Sequence, residues 1–327
     1  MSKKYIFALM VQLACGLDSI GVQAQILNWP DKPIRIIVPY TPGGGTDTVT
    51  RQLAERISAE QKWSFIIDNK PGGGGNIGLE ITAKAKADGY TLGMGQTANL
   101  AINPAAMSKM SFDAQKDLIA IALIAEQPTI LVVKENSPFK NLADLMKAAK
   151  NNSTELKLAS AGSGTVGHLA GELLAKRADF KFLHIPYKGA APAITDLLGD
   201  QTDLMFATPQ AVLGLIRSEK LRALAVTSSK RMAVLPEIAS MAQSGYPNFQ
   251  AVDWKVLVAP SSTPVDILQK LNSSIERALA QSQFIEQLKL EGSAPMGGNL
   301  AKVQTYVREE QAQWSQIVKA ANIRLEP

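Results

Sequence analysis

Twice along this chain a short β-rich run ends in a glycine-rich turn that leads straight into a helix, and this repeat limits the fold more than any other feature. The first copy joins Ile34-Arg35-Ile36-Ile37-Val38 to the turn Tyr40-Thr41-Pro42-Gly43-Gly44-Gly45-Thr46. A helix opened by Asp47 follows, with Val49, Leu53 and Ile57 on one stripe. The second joins residues 156–160, the turn Ala161-Gly162-Ser163-Gly164 and a helix from Thr165. Residues 64–67, 91–94, 182–185, 204–207 and 221–226 read as further strands. Residues 141–150, 190–198 and 211–218 read as helices. Alternation of this kind argues for an α/β fold of parallel sheets wrapped by helices.

Residues 119–133 form a long apolar stretch holding Pro128, which reads as two strands, the second passing into another domain. After a strand at 254–259 the pattern turns helical. Leu268, Leu271, Ile275 and Leu279 make one stripe, and Leu300, Val303, Val307, Trp314 and Ile317 another. A mature chain of about 300 residues exceeds what one hydrophobic core serves, so two domains are expected. The expected division is a first lobe of 25–128 and 253–327 and a second of 129–252. The helical tail would return to the first lobe. Two crossings, at 129–133 and 253–258, would form a hinge of the kind that closes clefts on ligands.

The N-terminus sets the expected compartment. Lys3 and Lys4 precede an apolar run from Ile6 to Leu17, and Val22-Gln23-Ala24 has the small-residue spacing of a cleavage site. Together these read as a secretory signal, residues 1–24, cut near Ala24, which places the mature protein in the periplasm. Cys15 is the only cysteine, and Gln12-Leu13 before it suit a lipoprotein site poorly. The net charge of +5 comes from scattered lysines and arginines with few aromatics between them, so no nucleic-acid groove is expected.

A strand-to-helix corner leaves amide N–H groups unpaired at the positive end of the helix dipole, and glycine lets a ligand approach the backbone. One such corner is often only a tight turn; two, in two lobes, point to a shared anion cleft. Asp47 fits either an N-cap or a contact in that cleft. Gly162-Ser163-Gly164-Thr165-Val166-Gly167 spells a dinucleotide fingerprint, but the following strand ends His184-Ile185-Pro186-Tyr187 without the acid that would hold a ribose. No G-x-S-x-G occurs, and His168 and His184 are the only histidines. His168 fits cleft and packing roles equally, and Tyr187 fits a cleft wall or ordinary half-burial. No cofactor, metal site or catalytic residue is expected.

Several stretches carry a resemblance across the whole mature chain in order: Trp29-Pro30, Lys32-Pro33-Ile34-Arg35, Val38-Pro39-Tyr40 with Gly43-Gly44-Gly45-Thr46-Asp47, and Asn69-Lys70-Pro71-Gly72-Gly73. Asp88-Gly89-Tyr90-Thr91-Leu92, Gly162-Ser163-Gly164-Thr165 with His168, Ile185-Pro186-Tyr187-Lys188-Gly189, and Ala259-Pro260 with Thr263-Pro264 continue it. The chain resembles the tripartite tricarboxylate transporter receptors, the Bug-type extracytoplasmic solute-binding proteins. The resemblance implies a type II periplasmic-binding fold, two α/β lobes joined by a two-strand hinge, and a carboxylate held near the first glycine turn. By that pattern Tyr40, Gly43, Gly44 and Asp47 map to the first-lobe grip, with Thr97 on a nearby loop. Ser163, Gly164, Thr165 and His168 map to the second-lobe grip, with Tyr187 and Thr208 nearby. The implied ligand is a di- or tricarboxylate, an aromatic carboxylate or an acidic amino acid, delivered to membrane transporter subunits or a sensor protein by a monomer. An exported α/β hydrolase or transferase is the alternative. The chain departs from the family at Ala207-Thr208, where Asn or Asp is usual, and at Lys255-Val256, where an aromatic and a glycine usually follow Trp254.

Overall fold

The computed structural model describes residues 29–150, 155–321 and 324–325. The expected signal segment, its expected cleavage site and Cys15 lie outside these residues. The first lobe opens β1 (Ile34–Val38), α1 (Gly45–Gln61), β2 (Phe65–Asn69), α2 (Asn76–Ala83), β3 (Thr91–Gln96), α3 (Asn103–Ala106) and β4 (Leu118–Pro128). The chain then crosses into the second lobe, made of β5 (Ile130–Lys134), α4 (Leu142–Lys150), β6 (Leu156–Ser160), α5 (Val166–Ala178), β7 (Phe182–Pro186), α6 (Ala190–Leu198), β8 (Leu204–Ala207), α7 (Pro209–Arg217) and β9 (Leu221–Val226). It returns through β10 (Val252–Pro260) to α8 (Val265–Leu279), α9 (Ser282–Leu290), β11 (Ala294–Pro295) and α10 (Leu300–Ala321).

The strand orders are β11-β4-β10-β3-β1-β2 and β7-β6-β8-β5-β9. Parallel sheets were the expectation, and each sheet has a parallel part with antiparallel strands added to it. Strands β1, β2 and β3 run parallel, as do β6, β7 and β8, but β10 and β5 are antiparallel to their neighbours. These are the strands that carry the chain between lobes. A strand arriving from the other lobe enters its sheet from the cleft side, opposite to strands that feed helices at that edge.

Burial follows the sequence stripes. Val49, Leu53 and Ile57 of α1 pack on Ile34 and Ile36 of β1, with Leu268, Leu271 and Ile275 of α8 completing that face. Burying each such side chain contributes about 1.5–3 kcal/mol. The opposite face of the first sheet carries Trp254, Val256 and Val258 against Val303 and Val307 of α10. In the second lobe Leu158, Leu169 and Phe206 lie on one face, and Ala193, Leu197, Met205 and Val212 on the other.

The helical tail packs on the first lobe: Val303 and Val307 lie against the first sheet, and Val318 shares an apolar cluster with Ile102 and Ala106. That cluster continues across the interface to Leu158, Leu169 and Phe206 of the second lobe, and Leu325, beyond the helix, donates its amide to the Ala106 carbonyl (3.0 Å). The chain passes between the lobes at β4–β5 and on the return into β10. The two strand crossings are tied together at Thr129 and Thr227, both buried. Thr227 donates its amide to the Thr129 carbonyl (2.9 Å) and its hydroxyl to the Ala251 carbonyl (2.7 Å), while its Oγ1 accepts the Thr129 amide (2.8 Å).

Candidate functional site

Between the lobes, at the carboxyl edges of the parallel strands, lies a small cavity of about 50 Å³. Gly44, Gly45 and Thr46 line it from the start of α1, Thr165, Val166 and Gly167 from the start of α5, Ala190 from α6, and Thr208 from the cap of α7. Four helix N-termini thus converge on one space. At three of them, capped by Gly44, Gly189 and Thr208, no side chain accepts the leading amides. These N–H groups and aligned dipoles suit an anionic guest.

Each corner is held by its own residues. Asp47 is buried in the first turn of α1 and does not line the cavity. Its carboxylate accepts the Gly43 amide (3.0 Å), the Asn69 amide nitrogen (3.0 Å) and the Arg51 guanidinium (2.9 Å). Burial alone would raise its pKa, but the bonds from Arg51, Gly43 and Asn69 outweigh that and hold it below the ordinary aspartate value. Asp47 takes neither of the two roles open to it: Gly44 is the N-cap, and Asp47 braces the turn, its bond going to Gly43 ahead of the helix. Tyr40 lines the cavity and donates its hydroxyl to the Gly74 carbonyl (2.8 Å).

In the second lobe Thr165 caps α5, its hydroxyl accepting the His168 amide and donating to the Gly162 carbonyl (2.8 Å). His168 is buried behind that turn. Its Nδ1 accepts the Gly164 amide (3.2 Å), its Nε2 faces Glu172 (3.3 Å), and its ring stacks on His184 at 3.7 Å. Ser163 and Gly164 face the first lobe instead of the cavity. A side chain added at Gly74 would meet the Ser163 carbonyl oxygen at 2.2 Å, and one added at Gly164 would meet Asn103 at 1.8 Å. Both glycines have positive φ, 61° and 75°. The lobes meet here backbone to backbone.

Tyr40, Gly44, Thr165 and Thr208 therefore line the cavity, while Gly43, Asp47, Ser163, Gly164 and His168 support or close it. Thr97 is fully buried, and its hydroxyl accepts the Trp254 amide (2.9 Å), fixing β10 to the loop after β3. Tyr187 donates to Asp196 (2.6 Å), with its pKa pushed up to about 12 by burial and that carboxylate; it does not line the cavity.

Sequence reasoning missed Thr46, Gln96, Ala190 and Asp253. Thr46 donates to Gln96 Oε1 (2.5 Å) in the cavity wall. Asp253 and Lys255 point to one face of β10, and both are buried. Lys255 Nζ donates to Asp253 Oδ2 (3.0 Å), and Asp253 Oδ1 has no partner. Two opposite charges spaced by two in an otherwise apolar strand were the available signal. Ser160 and His184 form a 2.7 Å contact, but Ser160 is fully buried and neither residue lines the cavity. Among the described residues no cluster of metal-ligating side chains occurs, and no helix is long and apolar enough to cross a membrane.

A two-lobed α/β architecture, hinged on crossing strands and closed over a cavity ringed by helix N-termini, defines a solute-binding protein of the type II periplasmic class. A profile of the tripartite tricarboxylate transporter family receptors matches residues 49–323, and the chain belongs to that family. BugT of Bordetella pertussis is 32% identical over 320 residues, covering 97% of this chain and 98% of that protein. The periplasmic binding protein BugD superposes with a TM-score of 0.87 at 32% identity, covering 91% of this chain and all of that one. Rpa4515 of R. palustris, solved with adipate, superposes with a TM-score of 0.87 at 33% identity over the same shares. The chain is thus similar in sequence and shape to periplasmic receptors along nearly its whole length.

Proposed function

We propose that this protein captures a small organic carboxylate between its lobes in the periplasm and delivers it to membrane transporter subunits or a sensor, without chemical turnover. The supporting observation is the convergence of four helix N-termini, three lacking a side-chain cap, on one enclosed space. The adipate in Rpa4515 supports the same ligand chemistry. The carboxylate sits against the amides of α1 beside Tyr40, and residues 129–252 close over 25–128 and 253–327 as one hinged unit. The basic N-terminal segment with its apolar run supports export.

The test is thermal unfolding of the mature protein with di- and tricarboxylates, aromatic carboxylates and acidic amino acids. A ligand present at a hundred times its Kd stabilises the native state by about 2.7 kcal/mol, a readily measured rise in Tm. No rise with any of them overturns the ligand class. Covalent change in a bound compound, seen by mass spectrometry, overturns the receptor reading in favour of a hydrolase or transferase.

A further inference from the structure

The floor of the cavity holds more than capture of a plain carboxylate requires. Asp253 lines it and is only 2% exposed, with Lys255 beneath it fully buried. Lys255 satisfies Oδ2 and leaves Oδ1 unpartnered. Three further unpartnered atoms gather over the start of α1. The space a side chain at Gly45 would occupy lies 2.8 Å from Thr208 Oγ1, 2.8 Å from Gln210 Oε1 and 3.0 Å from Gln127 Nε2. The two glutamines are held in that orientation by Ser293. Gln210 Nε2 donates to Ser293 Oγ (2.5 Å), which donates in turn to Gln127 Oε1 (2.8 Å).

A buried carboxylate oxygen with no donor is among the costliest groups to leave unmade, and it accepts without donating. Of these atoms Asp253 Oδ1 is the buried acceptor in the cavity wall, and it requires a donor. A second carboxylate on the guest supplies none and meets Asp253 as a like charge. A hydroxyl supplies one. An ammonium supplies up to three and complements the Asp253 charge. We propose that the guest is a carboxylate that also bears an ammonium, an amino-acid-type zwitterion, with Asp253 Oδ1 receiving its N–H. The helix N-termini hold the carboxylate, and the bond from Lys255 Nζ orients Asp253. This inference rests on the receptor reading above and specifies the ligand of the same site.

The test is calorimetric titration with matched pairs that differ in the amino group: L-glutamate against glutarate, L-aspartate against succinate, and 4-aminobutyrate against butanoate. Tighter binding of the amino member in at least one pair, by about tenfold or more, is expected for a buried charge-assisted hydrogen bond. The Asp253→Ser/Lys255→Met double variant removes both charges together, so neither remains buried alone, and should bring that ratio to about one. Equal or tighter binding of the members lacking nitrogen overturns the inference and leaves the receptor reading standing. So does a ratio that survives in the double variant. Binding of none of the six overturns the inference, while the receptor reading is decided by the wider carboxylate panel above. Should the double variant fail to fold, the ratios in the natural protein decide by themselves.

Discussion

Asp47 shows how a residue can shape a binding corner without touching what binds there. It gathers the Gly43 amide, Asn69 and Arg51 beneath the first turn, so that the amides of α1 face the cavity on a braced loop. Asp47→Ala should lower stability by about 1–3 kcal/mol, the range for leaving buried hydrogen-bonding groups unmatched. It should also weaken carboxylate binding, which denaturant titration and calorimetry on one preparation would measure. Unchanged stability would show that the brace is dispensable. His184 offers a pH test. Its pKa is lowered from 6.5 to about 3, first by burial and then by the His168 ring stacked against it. The unfolded chain takes up this proton below about pH 6.5, whereas the native state stays neutral until about pH 3. The stability it supports is therefore complete above about pH 6.5 and is lost as the pH falls through that window. His184→Gln should flatten this part of the profile, so that in denaturant unfolding the variant loses less stability between pH 7 and pH 4.5 than the natural protein does. An equal loss in both proteins would count against it. The glycine turns gave the position of the site in the sequence, because their backbone chemistry needs no tertiary knowledge. Which side chains turn inward was not readable. Asp47 and Thr97 carry the same polar atoms whether they meet a guest or brace a strand, and only packing decides.

At the scale of elements, the strand-to-helix corners were legible because each joins a β-branched run, a turn that glycine permits and a regular apolar stripe. The antiparallel course of β5 and β10 was not, since strand composition carries no direction. Nor was the contact between corners. Gly74 and Ser163 are far apart in sequence, and their approach depends on how the lobes close. That contact can be tested. Gly164→Ala places a methyl group where Asn103 stands, at a backbone angle that L-residues rarely adopt. The substitution should hold the cleft ajar, giving a larger radius of gyration in solution scattering in the presence of ligand and an affinity weaker by about tenfold or more. A fully closed variant would show that the corners tolerate bulk.

For the whole molecule, the plan of two lobes followed from chain length and from the repeat of the β-turn-α unit. The place of Leu325 beside Gly164 did not, because a single leucine after the last helix carries no mark of the lobe it will touch. The strand crossings are joined by the Thr129–Thr227 knot, so Thr227→Val is the corresponding test. Valine keeps the shape but cannot accept the Thr129 amide or donate to Ala251. A loss of about 1–3 kcal/mol in denaturant unfolding is expected. No loss would mean that the pivot is held by the strands alone.

The knot at Thr129 and Thr227 alters what such a jaw can do. Two cords running free of each other would let the halves twist as readily as they open. Lashed together at one buried point, they behave as a single short strap, and opening becomes the movement that strap resists least.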